Sequence, residues 1–153
     1  MKHLILIPLL GLTACSQPET TSPVAPAAPM AVTQPALYPG ETREMRDLIV
    51  KYAAIHDIPE ALLHAVIQRE SDYRARARNG PYWGLMQILP ATAGQMGFRG
   101  SPSDLLDAET NLIYAGRYLR GAWLLSDGDE ATAVGWYARG YYYEARNRCM
   151  LRE

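Results

Sequence analysis

Chemistry that depends on metals, redox groups or phosphate finds little to work with in this sequence. Its 153 residues include three histidines and two cysteines, and no His, Cys and carboxylate cluster has metal-ligand spacing. There is no phosphate-cradling glycine loop and no G-x-S-x-G nucleophile turn. Neither a metal nor another cofactor is expected. The two cysteines are Cys15 and Cys149, so if Cys15 is modified no disulfide framework remains and the core must hold the fold. Net charge is −1, without the basic excess that argues for nucleic acid. Arg69, Arg74, Arg76 and Arg78 form a local basic run, which reads as a solvated face or as an anion site. Long apolar runs are missing too: Leu4 to Leu12 is too short to span a bilayer.

That short run is informative for another reason. With Lys2 ahead of it, it has the layout of a signal peptide. Leu12-Thr13-Ala14-Cys15 then resembles a lipobox, the bacterial lipoprotein processing signal. The resemblance implies a signal peptide over 1–14, cleavage before Cys15, and a lipid on Cys15 that attaches the protein to a membrane outside the cytoplasm. Cys15 followed by Ser16 resembles lipoproteins sent to the outer membrane, which points to its periplasmic face. The alternative is an ordinary secretory signal with an incidental cysteine. Residues 16 to 40 carry six prolines among Ala, Thr, Ser and Gln. Such a segment buries no core, so 15–40 reads as a disordered tether that extends about 3.1 Å per residue.

From residue 41 to 153 the pattern is helical. Thr42 suits a cap for a helix to about His56, with Met45, Leu48, Ile49, Tyr52 and Ala53 on one stripe. Residues 71 to 83 lack a period and contain the turn signal Asn79-Gly80-Pro81. Pro90 and Thr92 start a short helix ending at Gly97, and Ser101-Pro102 caps one more turn. Asp107 caps a long helix to about Leu125, and Asp129 caps another to Gly140. The tail from Tyr141 to Met150 reads as helical. No stretch alternates like a strand and there is no internal repeat. A small all-α domain is expected, and a monomer.

The domain is organised around Ile58 to Ser71. Pro59 is expected at the first helical position, where its missing N–H costs nothing. At about 100° per residue, Leu62, Leu63, Val66 and Ile67 cover roughly 140° of arc. Glu70 falls near the middle of that arc, while His64 and Gln68 point the other way. Burial and the negative end of the helix dipole both disfavour a carboxylate there. Both raise its pKa, and a carboxyl still protonated near neutral pH can donate a proton. The alternative is that Glu70 turns to solvent or pairs with Arg69 or Arg74.

Glu70-Ser71, followed by Gly84-Leu85-Met86-Gln87-Ile88 with Pro90, Thr92 and Ala93, resembles the signature of lytic transglycosylases with the lysozyme-like soluble-transglycosylase domain. Asn111 leading into Ala115-Gly116-Arg117-Tyr118-Leu119 is similar to the next block of that family. Trp136-Tyr137-Ala138-Arg139-Gly140 stands where the family usually has Ala-Tyr-Asn-Ala-Gly. The resemblance runs in order from about residue 45 to 143. It implies cleavage of the β-1,4 bond between N-acetylmuramic acid and N-acetylglucosamine in peptidoglycan strands, with Glu70 as acid and then base. Because the sugar's own C6 hydroxyl closes a 1,6-anhydro ring, no second carboxylate is required. A hydrolytic muramidase would need one, from Asp72, Asp104 or Asp107. A glycan-binding lipoprotein without turnover is a third possibility, since Ala138 replaces the family's asparagine.

The resemblance also implies substrate-side roles. Ser71 orients the carboxyl or the substrate, or simply bonds backbone at the helix end. Gln87 offers its amide to N-acetyl groups, or bonds its own loop. Met86 lines the cleft under the sugar, or fills the core. Tyr137 hydrogen-bonds the catalytic carboxyl, or is a core aromatic with a wet tip.

Overall fold

The structure, a computed structural model, describes residues 35–150. The expected signal peptide at 1–14, Cys15 and the tether as far as residue 34 lie outside them. Helix α1 spans Arg43–His56, capped by Thr42, whose Oγ1 accepts from the Met45 N–H at 3.2 Å. It stops at Asp57, in the left-handed region at φ 51, which a short polar side chain tolerates. Helix α2 spans Glu60–Glu70. Pro59 is its cap rather than its first residue: ψ 136 keeps it extended, while its carbonyl accepts the Leu63 N–H.

After α2 comes a loop containing a two-residue hairpin. Arg78–Asn79 (β1) pairs antiparallel with Tyr82–Trp83 (β2), Arg78 opposite Trp83 and Asn79 opposite Tyr82. The sequence reading had no strand here, because two residues are too few to alternate and the turn at Gly80-Pro81 does the pairing. Helix α3 (Pro90–Gln95), a 3-10 turn (Pro102–Leu106), α4 (Ala108–Leu124) and α5 (Glu130–Arg139) follow. Asp107 and Asp129 cap α4 and α5 by accepting from the Thr110 and Thr132 N–H groups at 2.8 and 2.7 Å. The tail is helical over Tyr142–Asn147 only (α6), and Cys149 beyond it is an exposed free thiol.

Helix α4 is the central element, packed against α1 on one side and α5 on another, and α2 packs against α1 and α5. Leu62, Leu63, Val66 and Ile67 of α2 meet Leu112 and Leu119 of α4 in one core, all fully buried. Each such side chain contributes roughly 1.5–3 kcal/mol of transfer free energy. On the other face of α2, where His64 and Gln68 point, Gln68 is exposed but His64 is covered. His64 is 3% exposed, with its ring tilted against those of Tyr38 and Tyr73 and Nδ1 2.8 Å from the Tyr73 hydroxyl. Periodicity identifies a polar face, and residues 36–41 fold back over its His64 end. In that segment the Tyr38 N–H donates to Glu41 and Arg46 reaches the Ala36 carbonyl. The packed domain therefore begins ahead of Glu41, within the stretch read as tether.

Candidate active site

The buried amide of Asn111, on α4, organises the loop beneath the end of α2. Its Oδ1 accepts from the Met86 N–H at 2.9 Å, and its Nδ2 donates to the carbonyls of Trp83 and Leu105 at 3.0 and 2.8 Å. Gly84 must be glycine for this to close: φ is +77, and a Cβ there would overlap the Leu105 carbonyl oxygen and Asn111 Nδ2. Trp83 and Ile88 then bridge across the loop through two backbone hydrogen bonds. Two more donors hold the middle of this buried loop. The Ser71 hydroxyl donates to the Leu85 carbonyl at 2.6 Å and the Tyr137 hydroxyl to the Met86 carbonyl at 2.8 Å. This network ties the ends of α2 and α5 and the start of α4 to one five-residue loop.

Several expected substrate contacts turn out to be spent on that network. Ser71 is 2% exposed and its proton is engaged with backbone, which matches the helix-end alternative rather than a hydroxyl aimed at a sugar. Met86 is fully buried and fills the core under the loop instead of lining a cleft wall, because the loop turns its side chain inward. The Gln87 amide nitrogen donates to the Ala77 and Gly84 carbonyls at 3.1 and 2.8 Å, so its donor half is occupied by its own loop. Gln87 nevertheless lines the groove described next. The Tyr137 hydroxyl does not reach the Glu70 carboxyl; it is bonded to Met86, while its ring borders the same groove as Glu70.

That groove, of about 510 Å³, lies between the end of α2, the loop, α4 and the end of α5. Glu70, Gln87, Tyr118, Tyr137, Ala138 and Arg139 are among its walls. The Glu70 side chain is 22% exposed. Burial pushes its carboxyl above the ordinary glutamate value, and the Arg69 guanidinium, 3.3 Å away, offsets only part of that rise. Burial also drives the Tyr137 phenol well up, with the Glu70 charge adding to the effect, so Tyr137 stays neutral beside the acid. Asp72, Asp104 and Asp107 are exposed and border no part of the groove. Asp104 and Asp107 instead accept from the Ser101 and Thr110 N–H groups. Among the described residues that line the groove, Glu70 is the one carboxylate.

Tyr118 and Arg139 are among the groove residues to which the sequence alone assigns no role. Tyr118 stacks on Tyr141 at 4.7 Å and meets Tyr137 edge-on at 5.3 Å, forming an aromatic wall. Helical periodicity carries no signal for it, since it flanks the apolar stripe of α4. For Arg139 a signal existed: it stands where the resembling pattern has alanine. The arrangement as a whole suits proton transfer to a bound glycoside, with flat aromatic and amide groups beside the acid. Among the described residues no group of His, Cys, Asp and Glu has the arrangement of a metal site. The family model described as transglycosylase SLT domain matches residues 47–148. No solved structure matches the chain.

Proposed function

The chain belongs to the transglycosylase SLT domain family, whose lysozyme-like domain acts on peptidoglycan in the cell envelope, and we propose that Glu70 is its acid and base. In this reading the protonated Glu70 carboxyl gives its proton to the glycosidic oxygen between N-acetylmuramic acid and N-acetylglucosamine. The C1–O bond breaks with positive charge spread over C1 and the ring oxygen. The muramyl C6 hydroxyl then bonds to C1, and its proton goes to the Glu70 carboxylate. A 1,6-anhydro ring closes, no water is consumed, and the acid is restored.

The observation that carries this reading is a half-buried carboxyl, held above its ordinary pKa, with no second carboxylate in the described walls of its groove. A hydrolase would need that second group to activate water or attack carbon. Mass spectrometry of digested peptidoglycan tests the point. Anhydro-muropeptides, lighter by one water than reducing-end products, are expected from the wild-type chain and not from Glu70→Gln. Reducing ends would establish a muramidase instead.

One observation favours a second reading, a glycan binder without turnover. Ala138 borders the groove where the family pattern has a polar asparagine. Strand binding with no product of either mass would support it. The reading extends to location: Cys15 carries lipid, residues beyond it tether a monomeric domain, and the chain works from the periplasmic face of an outer membrane. Membrane fractionation of Cys15→Ala checks this, since loss of the anchor releases the protein to the soluble fraction.

A further inference from the structure

The charge around the groove is not accounted for by a neutral sugar chain. Elsewhere on the domain, Arg46, Lys51, Arg120 and Arg148 pair with the carboxylates of Glu41, Glu109, Asp57 and Glu144, and Arg74, Arg99 and Arg117 donate to backbone carbonyls. Arg139 differs. It lines the groove and stacks its guanidinium 3.9 Å over the Trp136 ring, and it has no carboxylate partner among the described residues. A ring face holds a guanidinium in place without neutralising it, so its outward donors stay available. Arg69 lines the same groove from the end of α2, with its Nε 3.3 Å from the Glu70 carboxyl. Arg78 is held similarly, 3.3 Å over Trp83, next to groove-lining Asn79.

From this we infer that Arg69 and Arg139 form an anion-recognition rim that takes a carboxylate carried on the 3-lactyl substituent of a muramyl residue. Two sources share that chemistry: the free lactyl carboxylate of a strand stripped of peptide, and the carboxylates of an attached stem peptide. The inference rests on the transglycosylase reading above. Guanidinium groups match carboxylates through paired N–H donors, which lysine does not reproduce.

The position of Arg69 supplies a second argument. A cation 3.3 Å from a general acid favours the acid's anion and works against proton donation. That arrangement makes chemical sense if the substrate brings its own negative charge. A carboxylate taking the Arg69 donors draws the guanidinium away from Glu70, and Glu70 then keeps its proton to higher pH. Besides Arg69 on its own helix, Tyr137 and Arg139 of α5, Gln87 of the loop and Tyr118 of α4 border the groove into which Glu70 opens. Tyr137 and Tyr118 have phenols pushed up by burial, so neither titrates in the range where Glu70 does.

The test compares three glycans: chitooligosaccharide with no lactyl group, strands stripped of peptide by an amidase, and strands bearing stems. Dissociation constants are measured in a Glu70→Gln background, so nothing is consumed, and KM and kcat in the active chain. We expect charged strands to bind at least about fivefold tighter than chitooligosaccharide, an advantage that shrinks as salt rises. Arg139→Ala should raise KM on charged strands about five- to tenfold while leaving chitooligosaccharide binding unchanged, and Arg139→Lys should recover only part. A penalty confined to stem-bearing strands identifies the stem as the source; one that persists on stripped strands identifies the lactyl carboxylate. Equal losses on all three glycans, or no loss on any, overturn the rim. Preference for charged strands without cleavage of any of them contradicts the transglycosylase reading and leaves the rim standing; cleavage without charge preference does the reverse.

Discussion

Two glutamates, Glu70 at the end of helix α2 and Glu41 packed against that helix, each sit beside an arginine, and their protons are held in opposite ways. Glu41 has a fully buried side chain. Arg46 grips it with two N–H donors at 2.6 Å, and the Tyr38 N–H adds a third at 2.9 Å. Burial alone would raise its pKa, but those hydrogen bonds, with the nearby His64 and Arg46 charges, bring it below the ordinary value. Glu70 is less buried, yet it has one arginine at 3.3 Å and ends above the ordinary value. The sign of the shift follows the donors aimed at the carboxylate rather than the depth of burial. Glu41 is a satisfied structural anion; Glu70 is an under-satisfied one, and that shortfall is what the proposed acid role draws on.

The comparison is broken most severely by Glu70→Gln. On the proposed mechanism, in which one group serves both proton transfers, cleavage should fall at least about 10³-fold. Folding should not suffer. A glutamate whose folded pKa is raised supports the fold most fully below its unfolded pKa, and that support is lost as pH rises through the folded value. At neutral pH the glutamine should therefore leave thermal stability equal or higher, as calorimetry would report. In the active chain kcat/KM should decline with rising pH through the Glu70 pKa.

Glu41→Gln and Arg46→Met should give the mirror image. Removing one partner of the buried pair costs about 3–5 kcal/mol in urea unfolding, while the folded fraction keeps its specific activity. The pH dependence is reversed as well. Glu41 has a depressed folded pKa, so its stabilisation is present above the unfolded value and is lost as pH falls through the folded one. Acid unfolding of the wild type should thus be steeper than that of Glu41→Gln.

Asn111→Ala should cost about 2–3 kcal/mol, because it strands the Met86 N–H that Asn111 satisfies inside the protein. Activity should fall with it, since the loop under Glu70 loses its bracket. Ser71→Ala sharpens the distinction at the small end. If its hydroxyl serves the Leu85 carbonyl, the variant loses about 1 kcal/mol of stability and little of kcat. A kcat loss above tenfold with unchanged stability would return Ser71 to the substrate.

The helix starts at Thr42, Asp107 and Asp129 were readable in sequence because a cap is a local event, settled by a side chain and the N–H three residues on. The placement of Glu70 toward the core was readable for a similar reason, helical periodicity. What escaped was decided by distant contacts. His64 is covered by a segment more than twenty residues upstream, and no pattern within α2 announces that cover. Ser71, Met86 and Gln87 sit where chain direction changes from residue to residue, with Gln87 itself at φ 50. Identity at those positions was informative, but side-chain direction depended on Asn111 and Tyr137, 25 and 51 residues beyond Met86.

The most direct test of the contrast between the two glutamates is a carbon-13 NMR titration of their side-chain carboxyls in the folded wild-type protein, followed in one sample. Glu70 should titrate above the ordinary glutamate value and Glu41 below it. A Glu70 carboxyl that titrates at or below the ordinary value would contradict the account.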